Sequence, residues 1–381
     1  MYLVSLCRKR PLRALAVAVA LIAAIAAPIR AAELEDVFTV SKVRVDEQAE
    51  GGAADARTVA LARGERRAFT ELMRRLALRA DHGRLPQLSA DAIASLVQDF
   101  AIANEKNSRV RYLAELTYRF KPGAVRALMR DYRIRYAETR SKPVLVLPLY
   151  EQAGAVSLWD EPNPWLKAWQ AAPPSNGLVP VIVPEGNLQD IATISAELAA
   201  RGDEQRLKAI AERYGTDAVI VARTTAGTGA QGRAELSLSA AGFGLREREQ
   251  TIVAALRANA NETPEAFMAR AQRELAEQIE DRWKEANLIQ YEQNSVLVAE
   301  MPLTSLKEWV EAQRRFRSVA QIQRVDLVLL SRVEARFNVF YLGDASQLKL
   351  ALAQHDMALT EGEGSWTVTF NKPVPAKGSK R

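Results

Sequence analysis

The segment that most constrains the fold is an unbroken run of apolar residues, VLVLPL, at positions 144–149. Two more apolar segments follow, VPVIVP at 179–184 and DAVIVARTT at 217–225. Strands that are apolar on both sides belong to sheets covered on both faces, and strands joined by crossovers of this length pair in parallel. The sequence therefore predicts a mixed α/β unit with an at least partly parallel sheet.

The same unit extends on the carboxyl side of these strands. Helices are predicted over 190–214, and the alternating segments 233–243 and 246–256 predict a hairpin of two further strands. Thr263-Pro264 is typical of a helix start and opens a long helix to about Trp283. We expect a central, three-layer-like mixed sheet domain over residues 141–290.

The residues before position 141 follow a different pattern. The predicted strands are 37–45 and 111–120, and the predicted helices are 56–78, one opened by Ser89 and Asp91, and 122–132. This order, β-α-α-β-α, indicates a small α+β domain over residues 33–140.

A third unit follows the long helix. The predicted strands are 295–301, 325–331, 334–342 and 365–370, and the predicted helices are 306–316 and 345–354. The order β-α-β-β-α-β is that of a ferredoxin-like domain, placed at residues 291–371. Residues 372–381 are expected to be a disordered basic tail. The predicted fold class is thus α/β plus α+β.

The net charge misleads if the chain is taken as a whole. There are 52 basic and 46 acidic residues, with a pI near 9.4, which alone favours a nucleic-acid or membrane partner. However, the first 32 residues hold five basic and no acidic residues, and the last ten hold four basic ones. Positions 33–371 carry 43 basic and 46 acidic residues, so we expect no nucleic-acid partner.

The first 32 residues have the pattern of a secretory signal. A basic start precedes an uncharged apolar run from Ala14 to Ile29, and small residues follow at 31 and 32. The run is shorter than the roughly 20 residues that span a bilayer as a helix. We predict a cleaved signal peptide at 1–32 and a periplasmic protein. The alternative is an inner-membrane anchor at 14–29, because the sequence before the cleavage point is imperfect.

The residue types that carry most enzyme chemistry are scarce. Cys7, the single cysteine, lies in the predicted signal, so the mature chain has no thiolate and no disulfide. The histidines are His82 and His355, each placed beside an aspartate at a helix end, where a capping role accounts for them. We expect no metal, no cofactor and no catalytic residue.

Glycines at 227–232, GTGAQG, match the spacing of a dinucleotide fingerprint. That fingerprint needs a helix to follow, so that backbone N–H groups meet the pyrophosphate. An alternating strand pattern follows instead, and the segment is predicted to be a hairpin loop.

The segment LWDEPNPWLKAW at 158–169 is the strongest candidate for a binding site. It holds three of the six tryptophans, and a short helix would place two of them side by side. Such rings bind partners well; equally, they can cover the sheet as core. The candidate partner-binding residues are Trp159, Asp160, Glu161, Trp165 and Trp169.

The first long helix is strongly basic. Its arginines are Arg63, Arg66, Arg67, Arg74, Arg75 and Arg79. A solvated face accounts for such a pattern, and weak contact with an anionic membrane surface or a partner is the alternative.

Several segments in this order resemble one known family. They are ARTVALARGERRAFTELMRRLAL, RYLAELTYRF with KPGAVRALM, KPVLVLPLYE, LWDEPNPWLKAW and VPVIVPEGNLQD. The chain resembles the bacterial family called domain of unknown function twenty sixty-six over most of its mature length. The resemblance implies export in Gram-negative bacteria and supplies no catalytic residues.

The middle unit, from KPVLVLPLY to LKAIAERYGTDAVIVARTT, also looks like the α/β domain shared by the amino-terminal part of TolB and by CsgG-type envelope proteins. That resemblance implies a role in assembling envelope machinery, without chemistry.

These observations favour a non-enzymatic binding or scaffolding protein of the Gram-negative cell envelope. Its expected partner is an envelope protein or envelope polymer, and the pattern leaves its oligomeric state open. The alternative function is a carboxylate-dependent hydrolase that acts on an envelope glycan near the tryptophans.

Overall fold

The structure, a computed structural model, describes residues 36–50, 52–229, 232–244, 252–289, 293–362 and 364–371. The predicted signal peptide with its anchor alternative, and the basic tail, lie outside the described residues. From Val37 onward the chain is one compact unit, and it contains three sheets with helices. The prediction of a mixed α/β fold is confirmed at this level. The domain boundaries at 140 and 290 stay predictions.

The first sheet is antiparallel, in the order β1-β3-β2. Its strands are β1 (Thr39–Gln48), β2 (Val97–Asn107) and β3 (Arg111–Phe120), and its helices are α1 (Ala53–Leu76), α2 (Ala90–Leu96) and α3 (Pro122–Asp131), with a 3₁₀ helix at Arg79–Arg84. The sequence analysis missed β2, so the predicted order β-α-α-β-α lacks a strand. Most β2 residues are exposed, and an exposed edge strand shows no apolar alternation.

Helix α1 covers one face of this sheet at close range. A Cβ on Gly64 would lie 2.7 Å from Cδ1 of Leu116 and 3.1 Å from the hydroxyl of Tyr118. Glycine therefore lets the helix approach the strands, and the alanines and leucines that follow it fill the core.

The second sheet has the order β5-β4-β7-β8-β9, with β6 paired to β4. Its strands are β4 (Val144–Gln152), β5 (Ala155–Ser157), β6 (Val181–Ile182), β7 (Val219–Thr228), β8 (Ala234–Phe243) and β9 (Ile252–Arg257). Strand β4 is parallel to β6 and β7, and the other pairs are antiparallel. The predicted strand 179–184 shrinks to two residues, because Pro180 and Pro184 flank it and cannot donate to a ladder.

Helices pack on both faces of this sheet, as the apolar run of β4 predicts. They are α4 (Pro164–Ala171), α5 (Leu188–Thr193), α6 (Ala196–Arg201), α7 (Glu204–Arg213) and α8 (Pro264–Ala286). Val144 and Val146 join a core with α4 and α8, whereas Leu145 and Leu147 join a core with α6 and α7. Alternate β4 residues thus serve opposite faces.

The third sheet has the order β11-β12-β10-β14-β13. Its elements are β10 (Asn294–Pro302), α9 (Leu306–Ser318), β11 (Ile322–Leu330), β12 (Glu334–Leu342), α10 (Ala345–Gln354), β13 (Met357–Glu361) and β14 (Trp366–Phe370). Strands β10 and β14 are parallel, and the other pairs are antiparallel. The sequence analysis did not predict β13. This strand has five residues, of which only Met357 and Leu359 are buried, so its apolar alternation is too short to recognise.

No helix within the described part of the chain combines the length and the apolar character needed to cross a membrane.

A buried lysine on α8 joins the first sheet's helices to the second sheet. The Nζ of Lys284 donates to the carbonyl oxygens of Arg74 at 2.9 Å and Ala77 at 3.0 Å, at the carboxyl end of α1. One turn earlier, Asp281 accepts from the backbone N–H of Arg79 at 2.9 Å. A cation at a helix carboxyl end meets carbonyls that lack a partner within the helix.

We predict that Lys284→Met lowers the free energy of unfolding by about 2 kcal/mol, because buried carbonyls of α1 lose their donor. Lys208, on the exposed face of α7, offers a matched control: Lys208→Met should change the value by less than about 0.5 kcal/mol. Urea denaturation followed by circular dichroism measures both. Equal stability of the Lys284 variant and the parent would contradict the role given to this contact.

Candidate functional site

Two of the predicted tryptophans are core residues. Trp165 is fully buried and Trp169 is 3% exposed, and their rings meet edge to face with centroids 5.8 Å apart. The indole N–H of Trp165 donates to the carbonyl of Ala222 on β7 at 2.8 Å. The structure thus corrects the proposed binding role of these two residues, because buried rings offer a partner no surface.

Asn163 explains why this segment turns inward. Its side chain accepts from the backbone N–H of Leu166 at 2.9 Å and caps α4, which Pro164 begins. The helix therefore begins one residue before Trp165, and the four-residue spacing of Trp165 and Trp169 turns both rings toward the sheet and α8.

The other three predicted residues stay accessible. Trp159 is half-buried, and its indole N–H donates to the carbonyl of Ile194 at 2.7 Å. Its ring lies over Gly186, where a Cβ would be 3.4 Å from Cε3. Asp160 and Glu161 are exposed, and Glu161 pairs with Lys167 at 2.7 Å.

Trp159 therefore touches the backbone at both ends of α5, which Gly186 precedes and Ile194 follows. Two large aliphatic side chains of this short helix face water: Leu188 is 84% exposed and Ile191 is 47% exposed. Residues three apart share a helix face. We call Trp159, Asp160, Glu161, Leu188 and Ile191 the Trp159–α5 surface.

The surface has a defined place on the sheet. Residues 158–161 come after β4 and its hairpin with β5, and α5 comes after β6. Because β5 is antiparallel to β4 and β6 is parallel to it, the chain leaves β5 and β6 in opposite directions. The sequence analysis missed Leu188 and Ile191; their spacing within LQDIAT was the available signal.

A buried carboxylate holds the turn that carries α5. Asp190 is fully buried and accepts from Nε of Arg213 at 2.8 Å, from the hydroxyl of Tyr214 at 2.8 Å and from the N–H of Gly186 at 3.0 Å. With Asn187 it forms a reciprocal capping box. Burial by itself raises the pKa of Asp190, but the hydrogen bonds from Arg213 and Tyr214 outweigh it and lower this pKa.

The glycine segment is a hairpin loop, as predicted. Gly227 lies in β7, and Thr228 pairs with Ala234 of the antiparallel strand β8. The N–H of Gly229 donates to the carbonyl of Arg233 at 2.8 Å. A strand follows the glycines, and positions 230 and 231 lie outside the described residues.

The histidines lie at helix ends, but one of them is not a favoured cation. His82 is in the 3₁₀ helix, and His355 is the carboxyl cap of α10. Burial first, and then nearby Arg315, lower the pKa of His355, so the charged form of this ring is disfavoured at the end of α10.

Most arginines of the basic helix bond within the chain. Arg63 and Arg67 pair with Glu47, and Arg66 donates to the carbonyl of Leu88. Arg75 donates to the carbonyls of Val37 and Thr39. Arg79, which the structure places in the 3₁₀ helix after α1, donates to Glu274. Arg74 is exposed. Contact with a membrane surface stays a prediction.

The comparisons with known proteins add little. No family model and no curated protein matches the sequence. Lipoprotein GNA1162 from Neisseria meningitidis is similar at 19% identity over 36% of this chain and 95% of its own, with a TM-score of 0.24. The LpoB carboxyl-terminal domain from Salmonella enterica is similar at 16% identity over 32% and 85%, with a TM-score of 0.20. TM-scores this low support no conclusion about fold or function.

We predict that Trp165→Ala lowers the free energy of unfolding by about 3–5 kcal/mol, since a fully buried ring leaves a cavity. Leu188→Ala, on the exposed face of α5, should change it by less than about 0.5 kcal/mol. Urea denaturation monitored by fluorescence compares them. A Trp165 variant as stable as the parent would show that the ring is not core.

We predict that Asp190→Asn lowers the free energy of unfolding by about 3 kcal/mol, because it removes one partner of a buried charge pair. The pKa of Asp190 is lower in the folded protein, so its stabilisation is complete above the unfolded value, near 3.9, and is lost as pH falls through the folded value. Between pH 7 and pH 2, the free energy of unfolding should therefore fall more steeply for the parent than for Asp190→Asn. The control variant Asp160→Asn should show the same pH dependence as the parent. Parallel pH curves for parent and Asp190→Asn would contradict this.

Proposed function

We propose that the protein is exported to the periplasm and acts in the Gram-negative cell envelope as a binding or scaffolding protein without catalytic activity. The signal-like start and the slightly acidic body at positions 33–371 support this proposal. The partner binds the Trp159–α5 surface.

The observation that carries the proposal is the exposure of Leu188 and Ile191 on α5, the helix whose flanking backbone Trp159 contacts. Both of these large aliphatic side chains face water, and their burial against a partner would stabilise a complex. Asp160, next to Trp159 in the chain, and Glu185, three residues before Leu188, add negative charge. The partner that fits is a protein segment with apolar side chains flanked by lysine or arginine.

Three buried carboxylates are ion-paired, which supports binding rather than hydrolysis at these positions; burial raises the pKa of a fourth, partly buried carboxylate, Glu65, on α1. Asp81 pairs with Arg135, Glu138 with Arg126, and Asp190 with Arg213. Burial raises the pKa of Asp81, but the hydrogen bond from Arg135 outweighs it, and this pKa is lowered, as is that of Asp190. A glycosidase needs a carboxylic acid with a raised pKa, and ion-paired carboxylates do not supply one.

We also propose a finer architecture, with domain boundaries near 140 and 290 and a ferredoxin-like carboxyl-terminal domain. The order β11-β12-β10-β14, with α9 and α10 packed in one core on the same face, supports that assignment. Strand β13 extends this arrangement at one edge.

The proposal predicts position-specific crosslinking in intact cells. A photoreactive amino acid at Ile191 should capture one envelope protein, whereas the same group at Val253, an aliphatic residue that is 74% exposed on β9, should not. Leu188→Asp should abolish the capture, and Val253→Asp should leave it unchanged, while both variants keep the parent's circular dichroism. Mass spectrometry of the adduct identifies the partner peptide.

Three outcomes contradict the proposal. They are equal capture at Ile191 and Val253, capture that survives Leu188→Asp, and an adduct that contains glycan instead of a peptide rich in apolar and basic residues.

A further inference from the structure

Strand β11 is an open edge of the third sheet. Among the described residues it pairs with β12 alone, so its outer N–H and C=O groups face away from the sheet. It also exposes four consecutive aliphatic residues: Leu327 at 45%, Val328 at 65%, Leu329 at 44% and Leu330 at 39%. An edge with such side chains is a site for the addition of another strand.

The regular part of this edge is short and charged. The register of β11 against β12 shifts between Ile322 and Arg324 and again between Leu327 and Leu329. Between these shifts, Arg324 and Asp326 project from the same face, with Nε of Arg324 2.9 Å from Oδ1 of Asp326. The guanidinium of Arg324 also lies over the ring of Phe340, 4.1 Å from its centroid. The two charges are thus held in fixed positions and remain about half exposed.

We infer that β11 pairs antiparallel with β11 of a second copy of this chain, about a two-fold axis at Val325. In this register Arg324 of each copy lies opposite Asp326 of the other, so the axis produces two cross-strand ion pairs. Parallel pairing at the same position places like charges opposite each other. Charge complementarity therefore selects the second copy as occupant and the antiparallel register as its arrangement.

The same register partly covers the exposed aliphatic residues. Leu327 lies at the end of the regular segment and therefore next to the second copy. The third sheets of the two copies then form one continuous sheet of ten strands. The register shifts at both ends limit the pairing to a short segment, so a reversible dimer is expected.

Charge reversal tests the pairing by sedimentation velocity of the purified protein over a range of concentrations. Arg324→Asp and Asp326→Arg should each weaken the dimer about tenfold or more, since each replaces two attractive pairs with two repulsive ones. The double variant R324D/D326R should restore the parent's dissociation constant. The matched controls are Lys208→Glu and Glu212→Lys on the exposed pair of α7, which carry the same charge changes and should leave the dimer unaffected.

A parent protein that is monomeric at every concentration overturns the inference. A dimer that withstands both single reversals, or that the double variant fails to restore, overturns it as well. All variants are compared by circular dichroism, and the rescue by the double variant separates lost pairing from lost folding.

Disulfide formation tests the register. In a Cys7→Ser background, a cysteine at Val325 places two thiols across the axis, at a Cα separation of about 4.5–5.5 Å that permits a disulfide. Cysteines at Val328 are six residues out of register, roughly 20 Å apart. A covalent dimer of Val325→Cys but not of Val328→Cys is expected, and the reverse result overturns the proposed register.

Discussion

The carboxyl-terminal half of α8 holds the first two sheets of this protein in one unit. Lys284 is 4% exposed and directs its ammonium into the last carbonyl groups of α1. Burial lowers its pKa, and the carboxylates of Glu280 and Asp281 partly offset this effect. A lysine removed from water is costly unless its donors are satisfied, and the carbonyl groups at the end of a helix satisfy them.

Further contacts reinforce this junction. Trp283 donates to the carbonyl of Thr139 at 2.6 Å, and Arg79 forms two hydrogen bonds with Glu274. Helix α8 also covers the face of the second sheet that receives Trp165. The same helix thus completes the core beneath the tryptophan segment and fixes the position of α1. Trp159 packs instead against the core on the other face of the sheet, with α6 and α7.

Local patterns predicted long, periodic elements well. Strands β3, β4 and β12 and helices α8 and α10 lie within a few residues of their expected positions, because each buries a face whose spacing is visible in the chain. Strands β2 and β13 were missed for the opposite reason. Strand β2 is largely exposed and β13 is five residues long. Each is defined by its pairing with a neighbouring strand, β3 or β14.

The candidate binding residues were likewise predictable from the sequence only in part. The sequence drew attention to residues 158–169, and the spacing of Trp165 and Trp169 predicted adjacent rings, which the structure confirms. It left open whether the rings pack or bind, because an amphipathic segment carries no record of which neighbour covers it. Leu188 and Ile191 were missed although their three-residue spacing is visible in LQDIAT, because exposed aliphatic residues are common on protein surfaces.

The sequence by itself determined that the chain alternates strands and helices, that β4 is covered on both faces, and that the charge of the body is slightly acidic. These properties follow from residue type and period. Only the tertiary structure decided which tryptophans are core, that Trp159 contacts the backbone on both sides of α5, and that β11 is an edge. Those facts depend on contacts between segments far apart in the chain, whose free energies no local pattern contains.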